Sequence, residues 1–337
     1  TGNTNKKTRK TEHMFVMKSG DQRHYKSITV FLGIIMVFVA SSFAFNCAPI
    51  IRKFPPYIYH SSRISTGIAS GFLKRTFNIR PQHFSATEFS SSTEIQSQEN
   101  DDILNEVAQN LNTVRAAVSE AEAKAGRSNG SVRLIAVSKT KPNEALQAAY
   151  NAGQRYFGEN YVQEIIAKSP VLADDIKWHF IGPIQSNKAK QLVKGVPNLE
   201  VVETVSSAKI ANRLNQGCAE INREQLKVFL QIDTSGEETK SGIAKEESLE
   251  LAKHIASECP HLKLAGVMTI GKYGDMTCFD RLVESRNYIC SSLNIDKDSL
   301  ELSMGMSSDF EEAIMRGSTN VRVGTTIFGE RDYSKKK

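Results

Sequence analysis

Apolar positions in residues 101–337 follow two alternating patterns. Residues 101–125 carry apolar side chains at helical spacing and stop at Gly126, which predicts a leading amphipathic helix. Its apolar positions are Ile103, Leu104, Val107, Leu111, Val114 and Val118. Beyond it, eight short apolar segments alternate with stretches of helical spacing. The predicted strands are residues 134–137, 155–160, 177–182, 199–205, 226–234, 262–270, 300–306 and 320–328.

Eight strands alternating with helices over about 230 residues predict a single α/β domain, a (β/α)8 TIM barrel at residues 101–333. A doubly wound sheet is the alternative fold. It would normally show a glycine-rich turn after the first strand, where this chain has SKTKP. In a barrel, the functional side chains gather at the carboxyl ends of the strands.

Lys139 follows the first predicted strand directly. Its apolar run, residues 134–137, has the composition of a strand buried on both faces. An isolated lysine at a strand end is most often a surface cation whose ammonium reaches water. Partial burial offers another role, because desolvation lowers the pKa of the amine and leaves a neutral nucleophile for an aldehyde such as pyridoxal phosphate (PLP).

Two loops at the ends of the last strands suit a phosphate group. One contains Ser303 and Ser307 in SMGMSS, and the other contains Gly324 and Thr325 in VGTT. Barrels often bind phosphate with the loops after strands seven and eight, where small residues expose backbone N–H groups. Taken singly, such segments are usually plain turns.

Four further polar or polarisable side chains are predicted on or beside the same face. Arg322 lies inside the last strand, where it would form a structural ion pair or point inward toward a ligand. An inward guanidinium would be a permanent cation beside the pyridine nitrogen of PLP. Asn160 ends the second strand, and His179 and Met268 are candidate neighbours of the ring, with simple packing an equal alternative.

Charge and cysteine content set limits on the partners. Of the 337 residues, the first 100 contain 13 Lys and Arg against 5 Asp and Glu, so the basic character belongs to an N-terminal extension. The predicted barrel has no positive field that would indicate nucleic acid binding. The five cysteines, Cys47, Cys218, Cys259, Cys278 and Cys290, are scattered without a metal-binding spacing, which favours free thiols in a reducing compartment and no metal.

The extension, residues 1–100, contains three distinct segments. Residues 27–45 form an uncharged apolar run that could just span a bilayer, and membrane contact is expected only if this run is retained. Residues 63–80 are basic and lack acids, as in organelle transit peptides. Residues 85–100 are predicted to be a disordered linker. The expected location is therefore cytoplasmic, or mitochondrial or plastid if the extension is a genuine transit sequence.

Several motifs in chain order resemble one known family. VSKTKP, FGENYVQE, WHFIGPIQSNK, TSGEETKSGI, GVMTIG, SMGMSSDFEEAI and GSTNVRVGTTIFGERDY resemble the pyridoxal phosphate homeostasis proteins, relatives of the N-terminal barrel of alanine racemase. The resemblance covers residues 104–333 and suggests a plant-like member with an N-terminal extension. It implies that Lys139 carries PLP as a Schiff base and that Arg322 lies at the pyridine nitrogen. It also implies that Asn160, Ser307, Gly324 and Thr325 lie near the ring or phosphate.

The expected function is binding, supply or buffering of PLP in vitamin B6 homeostasis, without substantial catalysis. Alanine racemase has a second domain and a tyrosine base from its partner subunit, and neither is expected in this chain. Apo forms of PLP-dependent enzymes are the possible partners, and a monomer is expected. The alternatives are a weak PLP-dependent amino acid racemase or related enzyme, and a membrane-tethered scaffold that uses residues 27–45.

Overall fold

A computed structural model describes residues 86–236 and 242–330, with side chains described from residue 105 onward. These residues belong to one compact unit, Phe84–Lys337. The apolar run at 27–45 and the basic segment at 63–80 lie outside the described residues. Among the described helices, none combines the length and apolar character needed to cross a bilayer.

The leading helix, α1 (Ala86–Lys124), starts earlier than the apolar pattern predicts. The prediction of a disordered linker at residues 85–100 is therefore wrong from Ala86 onward. Extending an existing helix costs little compared with starting one, so a polar segment can continue an amphipathic helix that packing has already stabilised. Val107, Leu111, Val114 and Val118 are buried, as the helical spacing predicts.

Eight parallel strands close into a barrel in the order β1 to β8, with β1 also paired to β8. The strands are β1 (Arg133–Val137), β2 (Tyr156–Glu159), β3 (Lys177–Phe180), β4 (Leu199–Val205), β5 (Leu226–Gln231), β6 (Leu262–Met268), β7 (Glu301–Ser303) and β8 (Asn320–Val323). The helices that follow α1 are α2 (Asn143–Asn151), α3 (Val162–Lys168), α4 (Ala189–Gly195), α5 (Ala208–Glu220), α6 (Lys245–Glu258), α7 (Thr277–Leu293), α8 (Phe310–Met315) and α9 (Thr325–Phe328). A short 3-10 turn, Lys297–Ser299, precedes β7. The predicted (β/α)8 barrel with a leading helix is confirmed, and the doubly wound alternative is wrong.

The eighth strand is shorter than predicted. It ends at Val323, and Thr325–Phe328 form a helical turn rather than the continuation of a strand. The break occurs at Gly324, whose carbonyl accepts hydrogen bonds from the N–H groups of Ile327 and Phe328. Thr and Ile favour strands in sequence patterns, but here local capping and burial of Ile327 decide the conformation.

Strand residues that point outward and strand residues that point inward belong to two separate apolar clusters. Outward-facing residues such as Trp178, Phe180 and Leu302 join the main cluster beneath the helices. A smaller cluster, Val201, Phe229, Ala265 and Met268, is separate from it. The barrel interior is therefore a packed core below a site at its carboxyl-terminal end.

Candidate functional site

A pocket of about 290 Å³ lies at the carboxyl ends of the strands. It is lined by Val137, Lys139, Lys141, Asn160, Ile181, Ile270, Met306, Ser307, Ser308, Arg322, Gly324, Thr325 and Gly329. Six of the nine residues predicted for the site are therefore together in one cavity: Lys139, Asn160, Ser307, Arg322, Gly324 and Thr325. The other three, His179, Met268 and Ser303, are not among the lining residues.

Lys139 lies two residues beyond the end of β1 and is half-buried. Because β1 pairs with β2 on one side and β8 on the other, its loop lies between Asn160, which follows β2, and Gly324, which follows β8. The next residue, Thr140, has a φ of 64°, in the left-handed region that non-glycine residues rarely occupy.

Asn160 contributes a buried polar atom to the pocket wall. Its side-chain Oδ1 is buried and has no partner within the described residues. The backbone of Asn160 is packed against Gly182, where an added Cβ would lie only 2.1 Å from the Asn160 carbonyl oxygen. Gly182 therefore permits the close approach that fixes Asn160 at the pocket wall.

The loops after β7 and β8 meet on one side of the pocket. The Gly324 N–H donates to Ser307 Oγ at 3.2 Å, which joins the two loops directly. Gly305 has a φ of 94°, and a Cβ there would lie 2.6 Å from Ala313 Cβ. The tight turn brings Met306, Ser307 and the exposed Ser308 to the pocket, so small residues and hydroxyls surround this end.

Arg322 points into the barrel and is held by two hydrogen bonds. Its guanidinium donates to Ser303 Oγ at 2.6 Å and to the Thr269 carbonyl at 2.7 Å. Ser303 Oγ in turn donates to Glu203 Oε2 at 2.5 Å, and Glu203 Oε1 accepts from His179 Nδ1 at 2.6 Å. A continuous polar relay, His179–Glu203–Ser303–Arg322, thus crosses the buried interior from β3 to β8.

The relay sets the charge states of its members. Burial alone would raise the pKa of Glu203, but interactions with His179, Arg322 and Ser303 lower the pKa below the ordinary glutamate value of 4.5. Burial lowers the pKa of Arg322, and a guanidinium remains protonated at neutral pH. Since a carboxylate only accepts hydrogen bonds, His179 Nδ1 carries a proton, and His179 Nε2 is buried without a partner in the described part of the chain.

The structure places the remaining predicted residues beneath the pocket. Ser303 and His179 belong to the relay, and Met268 packs with Val201, Phe229 and Ala265. These three residues therefore support the pocket floor and do not line it. His179 also forms an edge-on ring contact with Tyr156, with 5.9 Å between centroids.

Several residues at or behind the pocket escaped the sequence analysis. Lys141 Nζ donates to the carbonyls of Phe328 and Glu330, both at 2.6 Å, and so secures the end of α9. Glu203 lies in the apolar run LEVVETV, where a buried acid on a barrel strand could have been noticed. Lys168 closes an ordinary amphipathic helix and carried no signal, because two of its partners, Ser138 and Glu159, come from other segments.

The pocket lining is strongly positive. It includes Lys139, Lys141 and Arg322, and no carboxylate lines it among the described residues. Backbone N–H groups, hydroxyls and an excess of cations favour an anionic ligand. The orphaned Asn160 Oδ1 additionally offers an acceptor to a ligand donor. Elsewhere in the described chain, no cluster of His, Cys, Asp and Glu could hold a metal ion.

A parallel barrel with a lysine after its first strand, an arginine on its last and two small-residue loops beside them defines a fold class, the alanine racemase N-terminal barrel. The family model described as "Alanine racemase, N-terminal domain" matches residues 104–332. Among curated proteins, the pyridoxal phosphate homeostasis protein of Homo sapiens is 47% identical over 240 residues, which cover 67% of this chain and 87% of the human protein. The protein of that name from Vibrio cholerae is 43% identical over 240 residues, covering 68% of this chain and 98% of that protein. The chain belongs to the pyridoxal phosphate homeostasis protein family.

Solved structures agree with this assignment. PipY of Synechococcus elongatus, in a structure with PLP bound, is 34% identical with a TM-score of 0.56, covering 66% of this chain and 100% of PipY. A structure described as an unknown protein from Bifidobacterium adolescentis is 35% identical with a TM-score of 0.61, covering 68% of this chain and 96% of that protein. D-threonine aldolase from Filomicrobium marinum, at 13% identity, TM-score 0.53 and coverage of 69% and 62%, shows the shared fold alone.

Proposed function

We propose that this protein binds PLP in the strand-end pocket and takes part in intracellular PLP homeostasis by holding and supplying the cofactor. The observation that supports this most directly is the convergence of Lys139, the orphaned Asn160 Oδ1 and the Ser307–Gly324 junction in one pocket that no described carboxylate lines. Relatives that carry the name of this function, and PipY with PLP bound, support it independently.

Each side chain has a distinct task in the proposed complex. Lys139 would hold PLP covalently through its side-chain amine, which can form a C=N bond with an aldehyde with loss of water. Ser307, Gly324 and Thr325 provide hydroxyl and N–H donors for the phosphate. Arg322, fixed by Ser303 and Thr269, would keep a positive charge beside the ring nitrogen, and this would disfavour protonation of that nitrogen.

This arrangement suits holding the cofactor better than using it. When bound, PLP supplies an electron sink for amino acid chemistry, and the sink is strongest when the ring nitrogen is protonated. Arg322 opposes that protonation. Lys139 is only half-buried, and Ser308 and Thr325 are exposed, so a bound cofactor can be exchanged with the surroundings.

The test measures absorbance of the full-length protein after incubation with PLP. We expect a band in the region of a lysine-bound PLP that disappears in Lys139→Ala and persists in Lys209→Ala, which removes an exposed lysine on α5. Persistence of the full band in Lys139→Ala would show that a different amine carries PLP.

Catalysis and transfer require separate assays. The loaded protein is incubated with L- and D-amino acids in D2O, and α-proton exchange is followed by NMR. Turnover at an ordinary enzymatic rate, about 1 s⁻¹ or above, would favour the racemase alternative. For supply, we propose that apo forms of PLP-dependent enzymes are recipients. Their reactivation by the loaded protein should exceed that by the same amount of free PLP when a PLP-trapping amine is present.

A further inference from the structure

Both peptide groups that flank Lys139 are held by one neighbouring helix. The Ser138 carbonyl, on the N-terminal side of Lys139, accepts from Lys168 Nζ at 2.8 Å. The Thr140 N–H, on the C-terminal side, donates to Glu164 Oε1 at 2.6 Å. Glu164 and Lys168 are one turn apart on α3, and Lys168 Nζ lies 2.6 Å from Glu164 Oε1. We call this pair the Lys139 clamp.

The clamp is anchored below the loop by a second carboxylate. Lys168 Nζ also donates to Glu159 Oε1 at 2.7 Å, so its three bonds account for all three ammonium donors. The Lys168 side chain is 7% exposed and that of Glu159 is 0% exposed. Ser138 Oγ donates to the same Glu159 oxygen at 2.7 Å. The Lys168–Glu159 ion pair is therefore buried, and its side chains are held more firmly than those of a surface ion pair.

The loop geometry requires such support. Thr140 occupies the left-handed region at φ 64°, a conformation that a β-branched residue adopts only where its surroundings hold it. A shift of the peptide groups on either side of Lys139 would turn its Cα–Cβ bond and carry the distant amine to a different place. Small errors in the position of a reacting group have large effects on rate.

We propose that Glu164 and Lys168 are positioning residues, which set the direction from which the Lys139 amine meets the aldehyde of PLP. The proposal rests on the function proposed above. The pair differs from an ordinary helical ion pair because each partner also bonds the backbone beside Lys139. Glu120 and Lys124 on α1 form a pair of the same spacing, with side chains 67% and 60% exposed, and provide a matched control.

The first experiment uses no PLP. Amide hydrogen exchange is measured for residues 138–141 in the full-length apo-protein and in Glu164→Ala, Glu164→Gln and Glu120→Ala. Loss of the charged acceptor should speed exchange at the Thr140 amide by about tenfold in Glu164→Ala. Glu164→Gln keeps an acceptor oxygen and should have a smaller effect. Glu120→Ala should match the unaltered protein.

The second experiment measures the rate at which the absorbance band of attached PLP appears. We expect Glu164→Ala to slow attachment roughly tenfold to a hundredfold, with Glu164→Gln between it and the unaltered protein. In the Lys139→Ala background, Glu164→Ala should leave the noncovalent affinity for PLP unchanged, because the clamp acts only through Lys139. Lys168→Met is less informative because it leaves Glu159 buried without its cation and can prevent folding.

The outcomes separate the two proposals. If the unaltered protein binds no PLP but Glu164→Ala still speeds Thr140 exchange, the clamp stands and the proposed function fails. If PLP attaches at the same rate in Glu164→Ala and in the unaltered protein, the positioning role is wrong. If Glu164→Ala lowers the noncovalent affinity for PLP in the Lys139→Ala background, the positioning role is also wrong, since Glu164 would then act on the pocket as a whole.

Discussion

Glu203 offers the sharpest test of the buried relay. It is fully buried on β4, and its two carboxylate oxygens accept one hydrogen bond each from His179 and Ser303. Glu203→Gln preserves the shape of the side chain but removes its charge. One oxygen can still accept from His179, whereas the new NH2 group faces Ser303 Oγ, which already accepts from Arg322.

The magnitude follows from these contacts. A hydrogen bond to a charged group contributes about 1.5–3 kcal/mol and a neutral one about 0.5–1.5 kcal/mol. Replacing the two charged bonds of Glu203 by neutral ones therefore costs about 2–3 kcal/mol together. Arg322 also loses its buried counter-charge, which lies one hydroxyl group away. We therefore expect Glu203→Gln to lower the free energy of unfolding by about 2–4 kcal/mol and Tm by roughly 5–15 °C.

The assay is denaturant and thermal unfolding of the full-length apo-protein near neutral pH, with Glu311→Gln on the exposed surface of α8 as control. The control should change stability by less than about 0.5 kcal/mol. A Glu203→Gln effect as small as that of the control would refute the reasoning, because the carboxylate charge would then contribute nothing to holding Arg322.

The difference in stability between the unaltered protein and Glu203→Gln should also depend on pH in a defined direction. The folded-state pKa of Glu203 lies below the ordinary value of 4.5, so the stability that its ionisation contributes is present above that value. It is lost as the pH falls from 4.5 through the folded pKa. The advantage of the unaltered protein over Glu203→Gln should be larger near pH 6 than near about pH 3.5. An advantage that grew on acidification would contradict the assigned direction.

Two further substitutions test the pocket walls. Gly182→Ala places a Cβ 2.1 Å from the Asn160 carbonyl oxygen, so the backbone must move. We expect a marked loss of Tm together with weakened PLP binding, and normal values for both would contradict the close packing. Ser307→Ala removes the hydroxyl that accepts from the Gly324 N–H in a half-exposed loop. It should weaken PLP affinity about tenfold while changing the free energy of unfolding by less than about 1 kcal/mol, measured by fluorescence titration and thermal unfolding.

The sequence by itself determined the barrel and the main members of the pocket. Short apolar strand segments and helical spacing are local patterns, and short connections between parallel elements leave few topologies open. Lys139, Asn160 and Gly324 each follow a strand directly or nearly so, and the carboxyl ends of β1, β2 and β8 meet because these strands are neighbours in the closed sheet. Their convergence could therefore be predicted before any coordinate was known.

Only the tertiary structure decided which polar groups pair behind the pocket. His179, Glu203, Ser303 and Arg322 come from four different strands, and Glu203 and Ser303 are 100 positions apart. The Lys139 clamp likewise depends on where α3 packs against the β1 loop, which no spacing within FGENYVQEIIAK reveals. A buried charge is stable only with partners that burial itself brings together. Such partners are a property of packing, and therefore Lys139 could be found in the sequence while the groups that hold it could not.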